Sequence, residues 1–130
     1  MAEQNDTLSG TWYCWLTYPS KDDQGEDKTK NVMEGYQRAN QLVLQSKANE
    51  EGSYTFVRLT LDDDIATGIW YESTSPDGTF EGALYSGSGQ LVMGEDQTME
   101  GMWAGAGVDR ESGKKRIYTG GWKLSRSDEA

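Results

Sequence analysis

The chain has 130 residues and a net charge of -10, from 12 Lys and Arg against 22 Asp and Glu; this suits a single domain with one core and opposes binding to the phosphates of long nucleic acids or to anionic membranes. Histidine is absent and Cys14 is the only cysteine, which excludes Ser-His-Asp and Cys-His catalysis, the commonest zinc sites and an internal disulfide. No apolar run approaches the ~20 residues of a spanning helix and the polar start MAEQNDTLSG has no secretion-signal pattern, so the cytoplasm is the expected compartment.

From the N-terminus, residues 1–7 read as a tail. The burst TWYCWLTY alternates Trp12, Cys14, Leu16 and Tyr18 against Tyr13, Trp15 and Thr17. A strand there sends one apolar set to each face, and both faces are expected to be partly covered. The acidic stretch from Pro19 to Asn31 reads as a solvated loop. Further bursts of aromatic and β-branched residues follow at about 32–37, 40–47, 53–61, 65–73, 78–86, 89–94, 98–107 and 116–125. Between them, ANEEGS, DDD, SPDG, SGSG, GEDQ and DRESGKK carry the Gly, Asp, Asn or Pro of tight turns. Residues 127–130 read as a second tail.

Sixteen glycines, two prolines and no sustained helical periodicity predict an all-β fold. Sequential strands joined by tight turns give an antiparallel up-and-down meander of about eight strands over residues 8–126, and closure into a barrel removes its two open edges. Four of the five tryptophans follow a glycine at two positions' distance: Gly10 and Trp12, Gly68 and Trp70, Gly101 and Trp103, Gly120 and Trp122. Such a glycine lets a strand bend, or lets an indole from a neighbouring strand pack on bare backbone.

The block TGIWYESTSPDGTFEGALYSGSGQLV, followed by MEGMWAGAG and the terminal IYTGGWKL, resembles the C-terminal β-barrel domain of bacterial helix-turn-helix (XRE-type) transcriptional regulators. The resemblance runs from about Leu8 to Arg126 and implies a sensing or interaction module. The chain carries no helix-turn-helix segment, so direct DNA contact is not expected of it. The opening Gly-x-Trp is also similar to that of the calycin superfamily, and this similarity implies that Trp12 packs under a basic residue of the last strand, Arg126 or Lys123. The tetrapeptide GTWY resembles the avidins, without a matching biotin site. In architecture alone the expected barrel is similar to the anti-phage receptors that hold cyclic dinucleotides, which suggests a ligand class.

These readings converge on a non-enzymatic barrel that senses or sequesters a small molecule, with nucleotide-like or planar anionic metabolites such as cyclic dinucleotides as candidate ligands and no cofactor. Tyr36, Arg58, Trp70, Tyr85 and Trp103 are expected to line the cavity, where aromatic faces and a guanidinium suit a planar or anionic group. Trp12, Trp122 and Arg126 are expected to hold the barrel together. Tyr36 and Arg38 pair on one face of VMEGYQRANQ, and Arg116 and Tyr118 repeat that pairing near the last strand. The acidic groups Asp62 to Asp64 and Asp22, Asp23, Glu26 and Asp27 lack calcium-loop spacing and read as solvated. Glu72 and Glu81 are weighed as an acid–base pair and set aside for strand carboxylates on a wet face, and Cys14 reads as a core residue. The alternative is a protein-interaction module with a filled interior, binding a protein partner or a second copy through an exposed Trp15 or Tyr13.

Overall fold

Alternating apolar and polar residues between turn-forming clusters produce eight strands: β1 (Gly10–Pro19), β2 (Glu26–Arg38), β3 (Gln41–Ser46), β4 (Tyr54–Asp62), β5 (Ile65–Ser73), β6 (Leu84–Met93), β7 (Met99–Val108) and β8 (Lys115–Ser125). The computed structural model describes residues 8–19, 26–47, 54–73, 84–108 and 112–128. Each strand pairs antiparallel with the next, and β8 returns to β1, so the sheet is a closed up-and-down barrel without an edge. Among the described residues no helix is long and apolar enough to cross a membrane.

Two segments differ from the sequence expectation. Residues 26–31, read as loop, form the first half of β2 and pair with β1 as far as Pro19 opposite Glu26. Strand pairing uses backbone groups, so a polar run does not prevent it when the neighbouring strand is long enough to meet it. The SGSG stretch, read as a turn between two strands, lies inside β6. Ser86 and Ser88 are exposed there, while Gly87 and Gly89 face inward beneath tryptophan rings, so one continuous strand replaces two. The segments ANEEGS and SPDG lie outside the described residues.

Two tight hairpins lie at one end, here the lower one. Ala39 and Asn40 join β2 to β3, and Asp63 and Asp64 join β4 to β5. Ala39 and Asp63 have φ of 54° and 60°, the positive value a two-residue hairpin needs at its first turn position. The β6–β7 turn closes with Gly94 N–H donating to Thr98 O at 2.8 Å and Thr98 N–H donating to the Asp96 carboxylate at 3.0 Å. The Thr98 N–H, with the Thr98 hydroxyl, holds the Asp96 carboxyl below the usual carboxylate range.

The lower end is plugged by the chain itself. Leu8 is buried, its carbonyl accepts from Trp12 Nε1 at 2.7 Å, and its own N–H donates to Gln37 Oε1 at 3.1 Å. Above this plug the inward-facing residues Met33, Leu42, Leu44, Val57, Leu59, Ala66, Leu91, Met99, Trp122 and Leu124 form one apolar cluster. The lower half of the barrel is therefore filled by side chains.

The glycines of the Gly-x-Trp triplets bend strands against their neighbours. A Cβ at Gly68, Gly101 or Gly120 would overlap the carbonyl oxygen of Arg58, Gln90 or Thr17 on the adjacent strand. Apart from Gly120, where a Cβ would also come within 2.7 Å of Trp103 Nε1, the glycines that receive the rings are different ones. A Cβ at Gly87 or Gly105 would come within 2.6 or 2.7 Å of the Trp70 ring, one at Gly89 within 2.7 Å of Trp122, and one at Gly35 within 2.7 Å of Trp12. Each large ring thus occupies volume that a neighbouring strand's glycine leaves empty.

Candidate functional site

The two ends of the barrel differ in chemistry. At the lower end Arg126 stacks over Trp12, with its guanidinium carbon 4.7 Å from the ring centre. Its Nε donates to Thr11 O at 3.1 Å and its Nη2 to Ser9 O at 2.9 Å. A planar guanidinium can stack and donate at once, so Arg126 ties the last strand to the first and caps the buried indole. Arg126 thereby fills the position expected of Arg126 or Lys123, whereas Lys123 sits over Trp15 on the outside, 5.7 Å from its ring. Trp122 is buried beside Cys14 in the same cluster. Burial pushes the Cys14 thiol up to about 12, with the Trp122 side chain opposing that rise only weakly, so the thiolate is suppressed and the residue serves as packing.

At the upper end the inward face becomes polar. Trp70 on β5 and Trp103 on β7 meet edge to face, with ring centres 5.5 Å apart at 86°, a favourable aromatic geometry. Trp103 Nε1 donates to Thr17 O at 2.9 Å. Trp70 is 9% exposed, and its Nε1, like that of Trp122 in the filled lower half, is buried without a hydrogen-bond partner. Two positions further along the same face of β5 comes Glu72, half-buried, flanked in register by Thr55 of β4 and Tyr85 of β6. Burial alone raises the Glu72 carboxyl above the ordinary range. Tyr85 is half-buried and packs against the core. On β8, Tyr118 faces Gly105 of β7 across the ladder, and exposed Arg116 lies over the Tyr118 ring at 4.8 Å.

Of the five residues expected to line the cavity, Trp70, Tyr85 and Trp103 face inward at this end. Tyr36 and Arg58 do not. Tyr36 is 73% exposed, and Arg58 is exposed with its Nε 3.5 Å from Gln41 Oε1. Both belong to an outer row in which Tyr36, Val43, Arg58 and Ile69 are successive cross-strand partners. In β4 the unbroken set Thr55, Val57, Leu59 and Leu61 turns inward and the mixed set Tyr54, Phe56, Arg58 and Thr60 turns outward, because the more apolar face loses more water-exposed area on burial.

Trp15 is also placed differently from expectation. It lies on the outer face yet is only 5% exposed, with Lys123 above its ring and Tyr13 6.4 Å away. Lys30 bridges to Asp128 at 2.6 Å and lies near the Tyr13 ring, so this aromatic pair is screened by charged side chains. It does not form the exposed patch the interaction reading invoked.

Residues passed over in the sequence belong to the upper site. Ser46 and Thr55 are both buried, and Thr55 N–H donates to Ser46 Oγ at 2.8 Å. Their signal was polarity at the upper ends of two inward apolar series. Among the described residues no group of three or more acidic or sulfur side chains is arranged to hold a metal ion. Asp62 to Asp64 occupy an exposed turn, and Asp22, Asp23 and Glu81 lie outside the described residues. Two shallow depressions of about 530 and 410 Å³ are lined by Glu34, Gln45, Ser46, Lys47 and Tyr54 and by residues around Asp96 and Lys123, and neither includes Trp70 or Trp103. Comparison with protein-family models, curated proteins and solved structures gives no match.

Proposed function

We propose that this protein is a non-enzymatic small-molecule-binding barrel, acting in the cytoplasm as a sensor or sequestering module, whose ligand sits at the upper end against Trp70 and Trp103. The observation that carries this reading is the Trp70 indole N–H: a buried donor without a partner costs roughly 1–3 kcal/mol, and a ligand acceptor would relieve that cost. The neighbouring Trp103 ring and the Tyr85 phenol offer aromatic surface for a planar group, and Arg116 supplies positive charge for an anionic one. The Trp12–Arg126 contact agrees with calycin-like ancestry, and the order of motifs resembling the regulator domain agrees with sensing. Tyr36 and Arg58 have no part in this version of the site.

The test is thermal-shift and tryptophan-fluorescence titration against nucleotides, cyclic dinucleotides and planar anionic metabolites. A ligand at a hundredfold excess over its Kd stabilises the fold by about 2.7 kcal/mol, and binding at the proposed site perturbs the indole emission. Trp70→Phe, which keeps an aromatic ring but removes the donor, should weaken that ligand about tenfold. A silent screen together with dimeric sedimentation would transfer the reading to the interaction module. The surface for that module is the outer row of Tyr36, Val43, Arg58 and Ile69, with the nearby Phe56 and Tyr71 rings 6.3 Å apart.

A further inference from the structure

The outer wall over β2 to β5 is aromatic and nearly free of acids. One row runs through Tyr36, Val43, Arg58 and Ile69, and the row above it through Glu34, Gln45, Phe56 and Tyr71. In a chain with 22 Asp and Glu, Glu34 is the only carboxylate of these two rows, and it already accepts from the Thr11 hydroxyl at 2.9 Å. Tyr36, Tyr54 and Tyr71 are 73%, 42% and 40% exposed, so these three residues leave roughly 300 Å² in water, taking ~200 Å² for each aromatic side chain. An exposed patch of this size, rich in Tyr and Arg and poor in acids, has the composition of a protein contact.

Arg58 stands inside this patch with its charge unmatched. Its Nε donates to Gln41 Oε1 at a long 3.5 Å, and among the described residues no carboxylate forms an ion pair with it. Tyr36 on β2 and Arg58 on β4 are both cross-strand partners of Val43 on β3, so they flank β3 at one height, each about 4.8 Å to the side. A two-fold axis running along β3 over Val43 therefore places Arg58 of each copy against Tyr36 of the other, and Val43 against its own equivalent. A two-fold along the row, at right angles to β3, would set Arg58 on Arg58 and is opposed by like charge. Packed sheets lie about 10 Å apart, a gap that an arginine and a tyrosine side chain span together.

We propose that a second copy of this chain covers this face, forming an isologous dimer about β3 in which Arg58 of each copy lies over the Tyr36 ring of the other. The inference is independent of the reading of the upper end, because these side chains point out of the barrel. The face carries one free cation and one widely exposed ring on either side of a single strand, so two copies match both groups at once. The barrel wall is convex, which confines the contact to a strip centred on β3 and keeps it among the small, reversible interfaces, below ~1,200 Å² in total. Each copy carries a net charge of -10, and at physiological salt the resulting repulsion is screened beyond about 8 Å.

The test is sedimentation velocity of the full chain at physiological salt over roughly 5–500 µM, the range in which a contact of this size associates. The expected result is a reversible monomer–dimer equilibrium with a Kd on the order of 10–100 µM. Tyr36→Arg and Arg58→Glu, each checked for native circular dichroism, should each weaken it at least about tenfold, the first by opposing two cations and the second by removing the cation. Mixing the two variants should restore the dimer, because Tyr36→Arg in one copy then meets Arg58→Glu in the other while the second Arg58–Tyr36 contact of the pair stays intact. Ile117→Ser, at a position 64% exposed on β8 across the barrel, should leave the equilibrium unchanged. A monomer at every concentration would overturn the inference and leave the face to a different protein. A dimer that Ile117→Ser dissociates and Arg58→Glu does not, or a mixture of the two variants that stays monomeric, would overturn it as well. The wild-type series does not depend on any variant folding.

Discussion

At the scale of single residues, volume left by glycine decides where the rings go. The Trp70 ring lies over Gly87 and Gly105, where an added methyl would come within 2.6 and 2.7 Å of it. Gly105→Ala is therefore expected to destabilise by about 1–3 kcal/mol through overpacking, read as a lower thermal midpoint. Gly94→Ala, whose methyl would meet only ordinary contacts at 3.6 Å, should stay within about 0.5 kcal/mol of wild type. Glu72 gives a pH signature. Its folded-state carboxyl is raised by burial, so the protonated form is the one the fold favours. Its contribution is complete below the usual glutamate range and is lost as pH rises through the raised value. Glu72→Gln should thus gain on wild type in urea midpoint as pH rises from below the usual glutamate range, and an offset independent of pH would mean that Glu72 is solvated. The presence of Glu72 on a strand was legible in the sequence. Its isolation was not, because that depends on residues 17 and 13 positions away that only the ladder brings alongside it.

Strands and turns were largely readable as elements. Period-two alternation set the two faces of β4 correctly, residue by residue, since side-chain direction in a strand is fixed by the pleat. The assignment of Arg58 to an interior was a choice between those faces, and local sequence does not make that choice. The Ala39–Asn40 hairpin carries a cost of its own. Alanine at φ of 54° is in a region that L-residues enter at a penalty of roughly 1–2 kcal/mol. Ala39→Gly should relieve most of this and raise stability by about 0.5–1 kcal/mol after the larger unfolded-state entropy of glycine is counted; an unchanged or lower melting temperature would show that the turn is not strained. SGSG was misread at this same scale. Its composition is that of a turn, yet in β6 its glycines face bulky rings and its serines face solvent, so identical residues satisfy a packing demand in place of a conformational one.

For the molecule as a whole, the first and last strands must be held together for the barrel to remain closed. Arg126 does this through Thr11 O, Ser9 O and the Trp12 face, while the chain before β1 seals the lower end with Leu8. Arg126→Ala should cost about 2–3 kcal/mol, removing the stacked cation and its hydrogen bonds to Thr11 O, Ser9 O and Gln97 Oε1. Hydrogen exchange should then show faster opening of the β1–β8 ladder than of β4–β5. Equal protection of both ladders would argue that Arg126 only decorates the end of the barrel.

What the sequence determined by itself is the kind of molecule: an antiparallel all-β fold, without histidine chemistry, whose Gly-x-Trp triplets mark bent strands. These follow from interactions with short-range or compositional signals, namely the period of the strand, the preferences of turns and the absence of a residue type. Only the tertiary structure decided which of two alternating faces became the interior, that Trp15 is covered from outside by lysine, and that an unpartnered indole and a half-buried carboxylate share one end of the barrel. Closure is the physical reason. It brings strands distant in sequence into register, and burial, ring packing and polar satisfaction are properties of those neighbours.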